Sequence, residues 1–317
     1  MRPTSRRPHP DTIRSVPIIP LPIDRTCRLD KRVHAYKALG RSCTLDAMHT
    51  DFALLLALTL VAGCRDRSAD SAVFAKSHAV SLAAVVERDI AEVERGIPEG
   101  AERLRPFVGT PEVQDATAVR RVLLRTRREV VALNVAKSTF FLLTDDHGVV
   151  LRSDHDPDDL VGRKLFSAYP ELAAAGDTKF VTTRGPFDAT RAGPDAIWLA
   201  ASPVGSQGIL VTGWTYRAYA RRLFESLRSE LVAQARGEPG KLSVFYVGLF
   251  DRAGVYSSPT TPSVDEQAMR DSDLVTKTAL GPCSGTVTIT RRVFGYGAVR
   301  TPKLGPEVGV YVLRSEI

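Results

Sequence analysis

An α+β fold, with long N-terminal helices followed by two antiparallel-sheet modules in tandem, is what this 317-residue sequence predicts. Three observations point to it. Apolar residues recur at helical spacing over two long stretches before residue 136. A β-rich segment at Thr139–Asp154 returns at Phe245–Ser258, with matching residues offset by 106 positions. Between the copies, Tyr216–Gln234 reads as a helix with Tyr219, Leu223, Leu227 and Leu231 on one face.

The helical part opens with Val73, Val80, Ala83, Val86, Ile90, Val93 and Ile97, the stripe of a long amphipathic helix. Pro98-Glu99-Gly100 is expected to interrupt it. Thr110-Pro111-Glu112 reopens a helix, with a capping side chain, a proline at the first helical position and an acid near the positive end of the dipole. This second helix is expected to run to about Ala136 and to bury Val113, Ala116, Val119, Leu123, Val130 and Leu133. Arg120, Arg121, Arg125, Arg127 and Arg128 occupy its other side and read as a solvated face.

In the first β-rich copy, Asp145-Asp146-His147-Gly148 separates two apolar runs, which is a hairpin signal. Asp251, Gly254 and Val255 match Asp145, Gly148 and Val149, and Asp273-Leu274-Val275 echoes Asp159-Leu160-Val161. Each copy closes with two strands: Trp198–Val204 then Gly208–Thr212, and Tyr296–Lys303 then Gly309–Leu313. Gly237-Glu238-Pro239-Gly240 is the linker, so helices plus first module span 70–236 and the second module 241–317. Residues 1–47, rich in Pro and Arg, read as a disordered or misassigned extension.

Phe52–Ala62 is an uncharged run of apolar or small residues, followed by Gly63 and Cys64. Spanning a bilayer takes about 20 apolar residues, whereas the core of a secretory signal takes roughly 7–15. Leu60-Val61-Ala62-Gly63-Cys64 resembles the lipobox of bacterial lipoproteins, in which the peptide before the Cys is cut and its thiol is lipidated. The resemblance implies a signal peptide over 48–64, a lipid anchor on Cys64 and a place in the cell envelope, facing the periplasm or exterior. No other hydrophobic run reaches spanning length, so membrane attachment is expected to rest on Cys64.

Charge and cysteine usage agree with export. The net charge of +7 is concentrated early: residues 1–64 hold ten basic and five acidic residues, the remainder 33 and 31. So even a balance gives no electrostatic footprint for nucleic acid. With Cys27 and Cys43 in the removed part and Cys64 lipidated, Cys283 stands alone, in a turn, and no internal disulfide is expected. His-Glu-x-x-His, Cys-x-x-Cys, Gly-x-Ser-x-Gly and the P-loop are all absent, and Gly295-Tyr296-Gly297 lacks a third glycine. The acidic run Asp154–Asp159 reads as a solvated loop, with Ca²⁺ ligation as the competing reading. Neither an enzyme nor a cofactor or metal is expected.

The helix pair and the two copies together resemble the double Cache family, PAS-like extracytoplasmic sensor modules of bacterial receptors. The residues carrying the likeness are Thr144–Leu151, Asp159-Leu160-Val161-Gly162-Arg163, Ala200-Ala201-Ser202-Pro203-Val204 and Gly208-Ile209-Leu210-Val211. The resemblance implies a ligand pocket between the first sheet and the glycine-ended loop, with Asp154, Tyr169, Arg184, Arg191, Trp198 and Trp214 in reach. An arginine there offers a two-pronged donor to a carboxylate and a tryptophan a stacking wall. The ordinary alternative makes the tryptophans core and the arginines surface. Arg291, Arg292 and Tyr296 hold similar places in the second copy, which is expected to be structural. The family's aromatic amino-acid motif has no clean copy in Thr183–Arg191. Receptors of this family usually continue into a membrane helix and a signalling module; this chain stops at Ile317, so a signal is expected to pass through a membrane signalling partner. The expected function is binding of a small anionic molecule by a lipid-anchored sensor. The alternative is an interaction lipoprotein, without a ligand, that regulates a membrane kinase or envelope complex.

Overall fold

The computed structural model describes residues 67–135, 140–154, 160–176, 180–189, 193–206, 208–234, 244–258 and 264–315. Cys64, Arg191 and the acidic residues 155–159 lie outside them. No described helix is long and apolar enough to cross a membrane.

Helix α1 spans Arg67–Val108 without a break, 42 residues with Pro98 and Pro106 inside it. The expected interruption at Pro98 does not occur. A proline costs the helix one hydrogen bond, but the buried stripe continues through it from Val93 and Ile97 to Ala101 and Leu104. Gly96 and Gly100 also let Leu133 seat directly on the helix: a Cβ at Gly96 would come within 2.8 Å of its side chain. Packing on both sides holds the backbone helical. The first part of the predicted stripe is corrected as well. Val73 and Val80 are 66% and 43% exposed, while Ala72, Ala75 and Ala79 are buried.

The second predicted helix divides into three pieces. Pro111–Gln114 is a 3₁₀ turn, α2 runs over Ala116–Glu129 and α3 over Val131–Val135. Thr110 makes no side-chain cap; Asp115 does, accepting from the Thr117 N–H at 2.9 Å. Val119, Leu123, Val130 and Leu133 are buried as expected, whereas Ala116 is exposed. Of the five arginines, Arg125 pairs with Glu129 and Arg127 with Asp154.

Two five-stranded antiparallel sheets follow. The first holds β1 (Phe140–Thr144), β2 (Val150–Ser153), β3 (Val181–Ala189), β4 (Gly193–Pro203) and β5 (Ile209–Thr215), in the order β2-β1-β5-β4-β3. The second holds β6 (Val244–Phe250), β7 (Val255–Ser257), β8 (Cys283–Ile289), β9 (Arg292–Arg300) and β10 (Gly309–Ser315), in the same order, β7-β6-β10-β9-β8. Short helices fill the crossovers: α4 (Leu165–Ala168) in the first, α6 (Val264–Asp271) and α7 (Leu274–Lys277) in the second. Helix α5 (Tyr216–Gln234) joins them. In both hairpins the aspartate carboxylate folds the turn. Asp145 Oδ1 accepts from the His147 and Val149 N–H groups, and Asp251 Oδ1 from those of Ala253 and Gly254. Cys283 opens β8, paired with Ala298, rather than lying in a turn.

The two sheets distribute bulk in opposite ways. Counting along each ladder from its closing loop, Leu199 and Gly213 of the first sheet correspond to Tyr296 and Leu313 of the second. The neighbouring pair Trp198 and Trp214 corresponds to Gly295 and Arg314. Gly295 and Gly297 abut the α1 backbone at Ser71–Ala72 and Ala75–Lys76, where no Cβ would fit. That contact explains both the small residues that open the α1 stripe and the Gly-x-Gly sequence. Against the first sheet the space is filled instead by Trp198 stacked on Trp214 at 4.4 Å, and Trp214 on Tyr219 at 4.6 Å.

Candidate ligand-binding site

Strand alternation builds the site. Along β4, Trp198 and Ala200 turn towards the cluster formed with α1, while Ile197 and Leu199 turn to the opposite face. On that opposite face the first module encloses a cavity of about 290 Å³. Phe140 and Leu142 of β1 and Ile197 and Leu199 of β4 form its floor, and Pro186 and Phe187 of β3 one wall. Leu165, Ala168 and Tyr169 roof it. Tyr169 lies over Gly185, where a Cβ would come within 3.1 Å of the ring, and its hydroxyl donates to the Pro186 carbonyl at 2.9 Å. Burial raises the pKa of this hydroxyl, with Arg163 pulling the other way, so it stays a neutral donor.

The loop before α4 supplies the cavity's charge. Gly162 adopts φ +81°, a left-handed conformation that a side chain would strain. Its N–H donates to the Val150 carbonyl at 2.8 Å, and Val150 N–H donates to the Arg163 carbonyl at 2.9 Å. Pinned to β2 in this way, the loop presents Arg163 and Lys164 at the rim. Both are exposed, and neither has a carboxylate partner among the described residues.

Of the residues expected around the pocket, Tyr169 lines the cavity and four others lie elsewhere. Asp154 is buried beside β1, accepting from the Phe141 N–H at 2.8 Å and paired with Arg127 at 3.1 Å. It ties the β1–β2 hairpin to α2. Trp198 and Trp214 are core on the α1 side. Arg184 pairs in register with Trp198, so it points away from the cavity, and its guanidinium meets Gly305 in the β9–β10 loop. Arg191 lies outside the described residues. Arg163 and Lys164 were not foreseen. Their signal was position: they directly follow the glycine that ends the loop.

In the second module larger side chains stand at the corresponding positions. Phe294, Tyr296, Tyr311 and Leu313 belong to one buried cluster, with Tyr311 packed on Gly248 and Tyr296 on Gly285. Lys277 Nζ donates to the Tyr296 hydroxyl at 3.1 Å, and Arg291 occupies a left-handed turn at φ 67°. A separate, more open cleft of about 310 Å³ lies between the Asp251–Gly254 turn and α7.

Polar contacts join the modules. Arg217, at the start of α5, forks onto Glu266 of α6, which also accepts from the Ser257 N–H at 2.9 Å and hydroxyl at 2.8 Å. Asp195 of β4 accepts from the Ala196 and Arg217 N–H groups at 2.8 and 3.2 Å. Tyr216 meets Tyr256 edge-on at 5.3 Å, and the Tyr256 hydroxyl donates to Asp251 at 3.3 Å.

No protein-family model matches the sequence, and no curated protein matches it. Solved structures of similar shape include the extracellular domain of a protein described as a histidine kinase, rpHK1S-Z16, at 12% identity and TM-score 0.48, covering 78% of this chain and 95% of that one. Another is the ligand-binding domain of the Pseudomonas fluorescens chemoreceptor CtaA in complex with L-isoleucine, at 15% identity and TM-score 0.41, covering 78% and 92%. A third is the sensor domain of the Vibrio cholerae histidine kinase DctB, at 12% identity and TM-score 0.42, covering 76% and 95%.

Proposed function

We propose that this chain is a sensor-type binding protein of the double Cache kind, attached to a membrane outside the cytoplasm by a lipid on Cys64. Its first module takes up a small anionic molecule, and its task is binding rather than catalysis. The observation that carries this reading is the cavity of about 290 Å³ with Arg163 and Lys164 at its mouth, in the module whose twin carries the bulkier Phe294, Tyr296 and Tyr311 in its buried cluster. Apolar walls with a few placed polar groups are the usual form of a small-molecule site. An open cavity also favours a sensor over an interaction lipoprotein without a ligand. Occupancy would reach the second module through Arg184 on Gly305 and Arg217 on Glu266, and from there a membrane signalling partner.

Thermal shift of the full chain against a library of anionic metabolites tests the binding, since a ligand of the native state stabilises it by mass action. A shift that is lost in Arg163→Gln/Lys164→Gln supports the reading; no shift with any anion contradicts it. Labelled palmitate incorporated by the wild type and not by Cys64→Ala tests the anchor.

A further inference from the structure

We propose that the molecule held in the first module is an amphipathic anion: one acidic head group on an aliphatic chain, in the class of medium-chain carboxylates. This rests on the reading of that cavity as the binding site and names what it selects. Ten of the twelve described lining residues are apolar or aromatic, and the two exceptions, Arg163 and Lys164, are adjacent. Positive charge therefore meets one end of a ligand and hydrocarbon meets the rest. Tyr169 carries the one polar side-chain atom of the roof, and the Pro186 carbonyl already takes its hydrogen. A second carboxylate carried inside would give up water for no donor among the lining side chains described, a loss of about tenfold or more in affinity, and a hydroxyl or amine would find only the acceptor lone pairs of the Tyr169 hydroxyl. A methylene carried inside gains about fourfold. Arg163 and Lys164 are exposed, on a loop that backbone hydrogen bonds hold to β2, so a head group reaches them without any rearrangement of the fold.

Calorimetric titration of the full chain with butanoate, hexanoate, octanoate, decanoate and dodecanoate, each below its self-association concentration, is the test. Affinity is expected to rise about fourfold per methylene and then to stop rising once the cavity is full. Octylamine and octanol are expected to bind at least tenfold more weakly than octanoate. Arg163→Gln/Lys164→Gln is expected to weaken every carboxylate by about tenfold while leaving the gain per methylene unchanged. Equal affinity along the series, or octylamine binding as well as octanoate, overturns the proposed class. Tight binding of a polar dicarboxylate such as malate in place of the alkyl series overturns the class and leaves the site standing. No binding by any anion overturns the site itself.

Discussion

The Tyr219 hydroxyl donates to Asp89 Oδ2 at 2.7 Å, and Arg222 reaches the same oxygen at 2.7 Å, in a place where Asp89 and Tyr219 are both fully buried. This contact locks α5 to α1, and Tyr219 in turn stacks on Trp214 of the first sheet. Removing one member of a buried, hydrogen-bonded pair costs far more than the pair itself contributes. Asp89→Ala is expected to lower the unfolding free energy by about 3–5 kcal/mol. Tyr219→Phe, which removes one donor and keeps the ring, is expected to cost about 1–3 kcal/mol. Urea unfolding of both variants measures the difference, and equal effects would contradict this assignment.

The close approach of β9 to α1 makes a second prediction. A Cβ at Gly297 would run into the backbone at Ala75 and Lys76, which no rotamer change can relieve. Gly297→Ala is expected to destabilise by about 1–3 kcal/mol or more. Gly176→Ala, where nothing lies within 4 Å, is expected to be near neutral. Thermal unfolding of the two variants compares them directly.

Stability should depend on pH in two opposing ways. Burial raises the Asp195 and Asp251 carboxyls above their ordinary 3.8, against the N–H groups that donate to them. The folded chain therefore keeps these protons to higher pH than the unfolded chain. Their contribution is greatest below 3.8 and falls as pH climbs through the raised values. Glu266 behaves oppositely. Burial pushes it up, but the donors on Arg217 and Ser257 outweigh burial and hold it below its ordinary 4.5. Its contribution is present above 4.5 and is lost as pH falls through the lowered value. Urea titrations across the acidic range should show Asp195→Asn flattening the decline towards neutrality and Glu266→Gln flattening the loss on acidification.

Much of this architecture was legible in the residues. The Asp-x-x-Gly hairpins, the repeat and the whole of α5 follow from local chemistry: carboxylates that accept neighbouring N–H groups, and apolar residues at helical spacing. The failures share a cause, which is that periodicity along one segment does not say what packs against it. Pro98 reads as a helix end until Leu133 is seen seated on Gly96 and Gly100. Alternation puts Trp198 opposite Leu199 but does not say which face holds the cavity; the two tryptophans and Arg184 lie on the other side of the sheet from it. Arg163 sat inside a recognised loop motif, yet only the turn at Gly162, bonded back to Val150, puts it at the rim.

The asymmetry between the modules is the core of the functional account, and it can be transferred. Ile197→Phe/Leu199→Tyr places in the first module the residues that the second carries as Phe294 and Tyr296, and so fills the cavity floor. Titration of this double variant with octanoate, beside the wild type and with circular dichroism to check the fold, is the most direct measurement. A folded variant that no longer binds, against a wild type that does, is the predicted result. A folded variant that binds octanoate as well as the wild type would contradict the assignment of the cavity.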